Sequence, residues 1–213
     1  MDSPTRVPRQ QRSRDSLEKL MKAGIDLLEE KGFEGLSIAD LSARSGVSVG
    51  SIYQRFDGKE ALFAALQEQI LERIDAEQVD LFRRIDTSLS DGRLVFEAVG
   101  QLATFFHRNE ALLRVMILRG AVDEETRRRG SRSSMHLARA FETFLLSSIR
   151  VFGHAEPELA ADICFRIVYA TFTRRVMSGS TFESETVLSW ETLGKEVAQV
   201  CSSYLLVPTP NAS

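Results

Sequence analysis

The stretch KGFEGLSIADLSARSGVSVGSIYQRFDGKEAL, from Lys31 to Leu62, decides the fold. It reads as two short helices around a glycine-containing turn, followed by a longer helix that starts at a lysine, which is the outline of a helix-turn-helix. Ser37 stands three positions before Asp40, so its hydroxyl can cap free backbone N–H groups while the carboxylate reaches back, a variant of the capping box. A helix therefore starts at Ile38, with Ile38 and Leu41 turned to a core, Ala39 and Ala43 filling in, and Asp40, Ser42 and Arg44 outward. Gly46 supplies the left-handed conformation that ends this helix, Val47 plugs the turn into the core, and Ser48 caps the next.

On the second helix, from Val49, Ile52 and Phe56 are one turn apart and point inward, leaving Val49, Gly50, Tyr53 and Gln54 on the opposite face. That face is small, aromatic and uncharged, where a solvated surface would carry Lys or Glu; lying against a groove accounts for it. Glycine within a helix costs roughly 1 kcal/mol relative to alanine, a loss that makes sense where backbone must approach another surface closely.

Gly32-Phe33, Ser37-Ile38, Ser45-Gly46-Val47-Ser48, Gly50, Tyr53, Phe56 and Lys59-Glu60 with Leu62 follow one another without a gap, and together they resemble the N-terminal signature of the TetR family of transcriptional regulators. The rest of the chain is similar to that family only in length and helicity. Some positions depart from the family pattern: Ser37 for Thr, Leu41-Ser42 for Ile-Ala, Gln54-Arg55 for Tyr-His, and Gly58 for a capping Asn or Ser. Gln54-Arg55 lies at the recognition surface, so a relative's operator sequence does not transfer. The resemblance implies an all-α protein with an N-terminal three-helix DNA-binding domain and a C-terminal helical bundle that senses a ligand and dimerises.

Composition bounds the rest. The 213 residues are 43% hydrophobic, ample for a sizeable core. No apolar run is long enough to span a bilayer and the Arg- and Pro-rich start lacks a signal peptide's apolar segment, so a soluble cytoplasmic protein with no membrane association is expected. Cys164 and Cys201 show no CxxC spacing, which speaks against a disulfide framework and a zinc site; no cofactor or metal is expected. The net charge of -3 hides an uneven distribution. Arg6, Arg9, Arg12 and Arg14 face Asp2 alone in an arm containing Pro4 and Pro8, read as disordered in isolation and either lying along phosphates or merely solubilising.

The first helix is expected after Asp15, with Leu17, Leu20, Met21, Gly24, Ile25 and Leu28 on one face, and to end at Gly32. From Lys59, the pattern Leu62, Phe63, Leu66, Ile70, Ile74, Leu81 and Ile85 gives one long helix or two in tandem. Later helices are expected at about 92–108, 110–120, 124–152, 157–177 and 184–206. The division is then 1–58 for the arm and DNA reader, 59–207 for the sensing and dimerising bundle, and 208–213 for a disordered tail.

Under this reading a palindromic double-stranded operator is met in the major groove by a homodimer whose recognition helices stand about 34 to 36 Å apart. Val49 can touch a thymine methyl, Ser51 a base edge or phosphate, and Gln54 can pair bidentately with adenine, while Gly50 allows close approach. Tyr53, Ser37 and Ser48 offer hydroxyls to phosphates and Lys59 adds charge; Arg44 and Arg55 are either phosphate clamps or solvated charges. In the second half, aromatic and methionine residues permit an apolar pocket for a small-molecule effector, with Phe106, His107, Met116, Phe144, Tyr169, Phe172 and Arg174 as its candidate lining. No P-loop, dinucleotide fingerprint, nucleophile elbow or HExxH pattern is present, so no catalytic residue is assigned and no enzyme is expected. Control by a protein partner or by cysteine oxidation is the alternative to an effector.

Overall fold

The computed structural model describes residues 9–182 and 184–208. Among these residues there is no strand: nine α-helices follow one another, with a single 3-10 turn at Ser180–Phe182. The fold is all-α, as the sequence implied. The chain divides into two compact units, one ending at Ile70 and one starting at Leu71.

In the first unit, α1 (Arg9–Gly35) bends at Gly32, whose φ of 68° is open to glycine at little cost. The helix begins earlier than expected, so Arg12 and Arg14 stand on it rather than in an arm, and Gln11 Nε2 donates to Asp15 Oδ1 at 2.8 Å. Pro4, Arg6 and Pro8 of the expected arm, like residues 209–213 of the expected tail, lie outside the described residues. Leu20, Ala23, Leu27 and Leu28 are buried, whereas Leu17, expected in the core, is exposed. Gly24 lets α1 approach closely, because a Cβ there would stand 2.7 Å from Leu66 Cδ2.

Two short helices follow, α2 (Ile38–Ser45) and α3 (Val49–Tyr53), then α4 (Gly58–Asp80). Leu36, Leu41, Val47, Ile52, Leu62 and Leu66 complete this core, each worth roughly 1.5–3 kcal/mol of burial. The Phe33 ring meets Phe63 edge-on at 4.8 Å. The boundary expected after residue 58 therefore moves: the first turns of α4, through Leu62, Phe63, Leu66 and Ile70, belong to the core of the reader unit.

The second unit takes the remainder of α4, turns between Leu81 and Ser90, and α5 (Asp91–Arg108), α6 (Glu110–Gly120), α7 (Glu124–Ser148), α8 (Pro157–Ser178) and α9 (Trp190–Leu206). α5 is its centre, burying Leu94, Val95, Ala98, Val99, Leu102, Ala103, Phe105 and Phe106. α9 lies against it so tightly that a Cβ on Gly194 would sit 2.9 Å from the Ala103 Cβ. α9 starts at Trp190, later than expected, because Ser189 accepts from Thr192 N at 3.0 Å and so fixes the cap there. The α7–α8 loop is tied to the end of α9 by Gly153 N, which donates to Leu205 O at 2.8 Å. No helix of the described residues is long and apolar enough to cross a membrane.

Candidate functional site

The first candidate site is built by two caps and one turn. Ser37 Oγ accepts from Asp40 N at 3.0 Å and starts α2. Gly46, at φ 70° and ψ 12°, ends α2 in the left-handed region and donates its N–H to Ser42 O. Ser48 Oγ then accepts from Ser51 N at 3.3 Å and starts α3. Asp40 does not close the capping box. Its carboxylate takes Lys31 Nζ at 2.9 Å, and that ammonium holds it below the usual carboxylate range.

On α3, Ile52 is fully buried and holds the helix to its unit, while Val49 and Tyr53 are 43% and 57% exposed. Gly50 is exposed, with open space where a Cβ would stand, and Gln54 is exposed as the C-cap. Val49, Gly50, Tyr53 and Gln54 thus form an open, uncharged surface. The helix stops at Tyr53, so Phe56, expected on its inner face, lies beyond it and is half-buried. Ser51 is half-buried, with its hydroxyl 2.9 Å from that of Ser48.

The basic residues are more engaged than sequence suggested. Arg44 grips Glu30 bidentately at 2.6 and 2.7 Å, and its hydrogen bonds lower the Glu30 pKa. Arg55 donates to Ser13 O and Oγ at 3.2–3.3 Å, joining the end of α3 to α1. Lys59 Nζ donates to Glu34 O at 3.3 Å and stands 4.3 Å over the Phe33 ring. These three positions hold the reader together, whatever else they do.

The second candidate site is a cavity of about 390 Å³ in the second unit, walled by α4 to α8. Its apolar wall comes from Leu71 and Ile74 of α4, Phe105 and Phe106 of α5, Leu113, Met116 and Ile117 of α6, and Leu137 of α7. Its polar wall comes from Gln78, Thr126, Ser131, Ser133, Ser134, Tyr169 and Thr173, with Arg127 beside them. Gln78 is 2% exposed. Its Nε2 donates to Ser133 Oγ at 3.2 Å, its Oε1 lies 3.3 Å from His136 Nδ1, and the Ser133 hydroxyl donates to Asp75 Oδ1 at 2.5 Å. α4 and α7 are therefore joined by hydrogen bonds at the cavity wall.

Of the residues expected in the pocket, Phe106, Met116 and Tyr169 line it. His107 is exposed and lies in a separate surface groove with Phe96 and Trp190, between α5 and α9. Phe144 stacks on Phe82 at 5.5 Å instead, and Phe172 is buried between Phe106 and Trp190. Arg174 is exposed and donates to Ser178. The buried arginine is its neighbour Arg175, which donates to Leu188 O at 2.9 Å and lies 5.7 Å from the Trp190 ring. Sequence reasoning missed Gln78 and the hydroxyl residues. The available signal was Gly130-Ser131-Arg132-Ser133-Ser134, where a glycine and three serines, none of them strong helix formers, interrupt α7 and four of the five residues line the cavity.

A capped pair of short helices, closed by a third and followed by a helical bundle, defines the helix-turn-helix class. Residues 20–66 match the family described as "Bacterial regulatory proteins, tetR family". Over this stretch, the first compact unit is similar to the N-terminal DNA-binding part of the TetR family. It is 37% identical over 54 residues, 25% of its length, to the HTH-type transcriptional regulator YvdT of Bacillus subtilis, and the match spans 28% of that relative. A TetR transcription regulator from Haloarcula marismortui is similar over 91% of this chain and 99% of its own, with a TM-score of 0.65 and 19% identity. The transcriptional regulator FadR from Bacillus subtilis, in complex with stearoyl-CoA, is similar over 88% of this chain and 98% of its own, with a TM-score of 0.60 and 13% identity. At such identity these two likenesses establish the fold.

Proposed function

We propose that this chain is a dimeric transcriptional regulator that binds palindromic operator DNA through α3, represses by occupying promoter DNA, and is released by a small, largely apolar effector in the cavity of the second unit. The observation that carries the reading is the exposed, uncharged face of Val49, Gly50, Tyr53 and Gln54 on a capped helix within a family-matched reader. A helix with such a face fits the major groove, where its side chains meet base edges while capping serines and Tyr53 meet phosphates. The likeness to a fold neighbour in complex with stearoyl-CoA supports a ligand role for the bundle. α4 supports the coupling, because Leu71, Ile74 and Gln78 of the cavity and Leu62 and Leu66 of the reader core stand on one helix.

Release requires that the effector bind the released state more tightly than the DNA-competent one; equal affinity would shift nothing. Cysteine oxidation is less favoured as the trigger. Cys164 and Cys201 are fully buried, each thiol turned toward the other's backbone oxygen at 3.9–4.0 Å, and a sensor thiol needs access to its oxidant. The test is sequencing of genomic fragments retained by the full chain at moderate salt. Enrichment of one or a few palindromes is expected, and uniform retention of unrelated fragments would overturn operator recognition.

A further inference from the structure

The lining of the cavity restricts the chemistry of what it holds. Apart from Arg127, its polar side chains are hydroxyls and one carboxamide, all neutral. Arg127 is the only cation among the lining residues, and it is exposed and ion-paired with Glu124. No carboxylate lines the wall, but Asp75 stands one hydrogen bond behind it, accepting from Ser133. An anionic ligand would leave water, face that carboxylate through a single serine, and find its only cation already neutralised; desolvation of a charge so poorly compensated is not recovered. A neutral ligand meets no such penalty.

Two groups on the wall have capacity to spare: the buried Thr173 hydroxyl, without a hydrogen-bond partner among the described residues, and the Gln78 carboxamide. A carboxamide nitrogen carries two hydrogens, and among the described residues Gln78 Nε2 donates only to Ser133. The side chain is almost fully buried and lines the cavity, so a ligand there can take its second hydrogen. Phe105, Phe106 and Tyr169 add ring surfaces to the same cavity, and their quadrupoles favour a flat aromatic partner over an aliphatic chain.

We propose that the cavity takes an uncharged, ring-bearing ligand with one acceptor oxygen, to which Gln78 donates its second amide hydrogen. The inference rests on the effector reading for its consequence: the hydrogen bond is made by α4 itself, so the ligand is read directly by the helix that runs from the cavity to the reader core. The Ser133 and His136 contacts that tie Gln78 to α7 occupy its other hydrogen and its oxygen, and so hold the carboxamide in place for the ligand.

Three nearly isosteric probes test it by calorimetry on the full chain without DNA: 1-acetylnaphthalene, with a neutral acceptor; 1-naphthoate, its charged counterpart; and 1-isopropenylnaphthalene, with neither. The ketone should bind roughly three- to tenfold more tightly than the hydrocarbon, the effect of one net hydrogen bond, and the carboxylate should bind most weakly. Gln78→Leu should erase the preference for the ketone while leaving hydrocarbon affinity within about twofold. Gln78→Met, which keeps an unbranched side chain of similar length, gives the same readout should the leucine variant unfold. Tightest binding by the carboxylate, a ketone preference that survives both substitutions, or no binding of any probe would overturn the proposal. None of those results touches the regulator reading, which stands or falls on the retained DNA fragments.

Discussion

At the residue scale, the reader separates side chains that hold the fold from those that face outward without a partner in it. Arg44 is committed to Glu30 by two short hydrogen bonds, and a phosphate would have to displace that carboxylate. Tyr53 is 57% exposed on the uncharged face of α3. Tyr53→Ala should therefore weaken operator binding roughly ten- to a hundredfold, as expected for one hydrogen bond to a charged oxygen, while changing stability by no more than about 0.5 kcal/mol. Arg44→Ala should weaken binding less than Tyr53→Ala does. Fluorescence anisotropy with a labelled operator and urea unfolding decide the comparison; a larger loss from Arg44→Ala would return that residue to the phosphate-clamp role. These assignments depend on partners such as Glu30, Ser13 and Glu34, which lie far enough from Arg44, Arg55 and Lys59 in the chain that spacing alone could not reveal the contacts.

At the element scale, the α5–α9 packing sets two glycines of opposite meaning against each other. A Cβ on Gly194 would meet the Ala103 Cβ at 2.9 Å, and since both atoms are fixed to backbone, the helices must part. Overpacking costs about 1–3 kcal/mol against a propensity gain of roughly 1 kcal/mol, so Gly194→Ala should lower the melting temperature. Gly100, also helical, has open space at its Cβ, and Gly100→Ala should raise it. The start of α5 carries a pH dependence. Asp91 accepts from Arg150 Nε at 2.9 Å and Val151 N at 3.1 Å; burial pushes its pKa up, but these bonds outweigh burial and hold it below the ordinary value. A depressed folded pKa contributes stability that is present above the unfolded value of about 3.9 and is lost as pH falls through the folded value. Urea unfolding from pH 7 to pH 3 should show a shallower acid decline for Asp91→Asn than for the wild-type chain, and parallel declines would remove Asp91 from the account. The helix-turn-helix was legible because caps and turns are local: Ser37, Gly46 and Ser48 fix α2 and α3 within a few residues. The cavity was not, because Gln78, Phe105, Met116, Ser133 and Thr173 come from five helices and only tertiary packing brings them together.

At the scale of the whole molecule, the proposed operator recognition depends on two readers acting together. Joining two weak sites makes the second contact intramolecular and can raise overall affinity by about 10²–10⁴-fold without any new contact. We place the joint of the proposed dimer at α8 and α9. Leu159 and Met177 on α8 and Val200 on α9 are 45%, 40% and 54% exposed, large apolar side chains left open on the two helices. Placing a charge at two of these positions should cost little in a monomer, where they remain in water, and much in a dimer, where the carboxylates would be desolvated without partners. The Leu159→Glu, Val200→Glu double variant should therefore sediment as a monomer with unchanged helix content and melt cooperatively. It should lose at least tenfold in affinity for a full palindrome while keeping its weak affinity for an isolated half-site. Its salt dependence should fall at the same time, since each released reader neutralises fewer phosphates and log K falls with log salt by about 0.9 per phosphate contacted. A double variant that remains dimeric would move the joint away from α8 and α9, and a monomer that still binds the palindrome at full strength would contradict recognition by paired readers altogether.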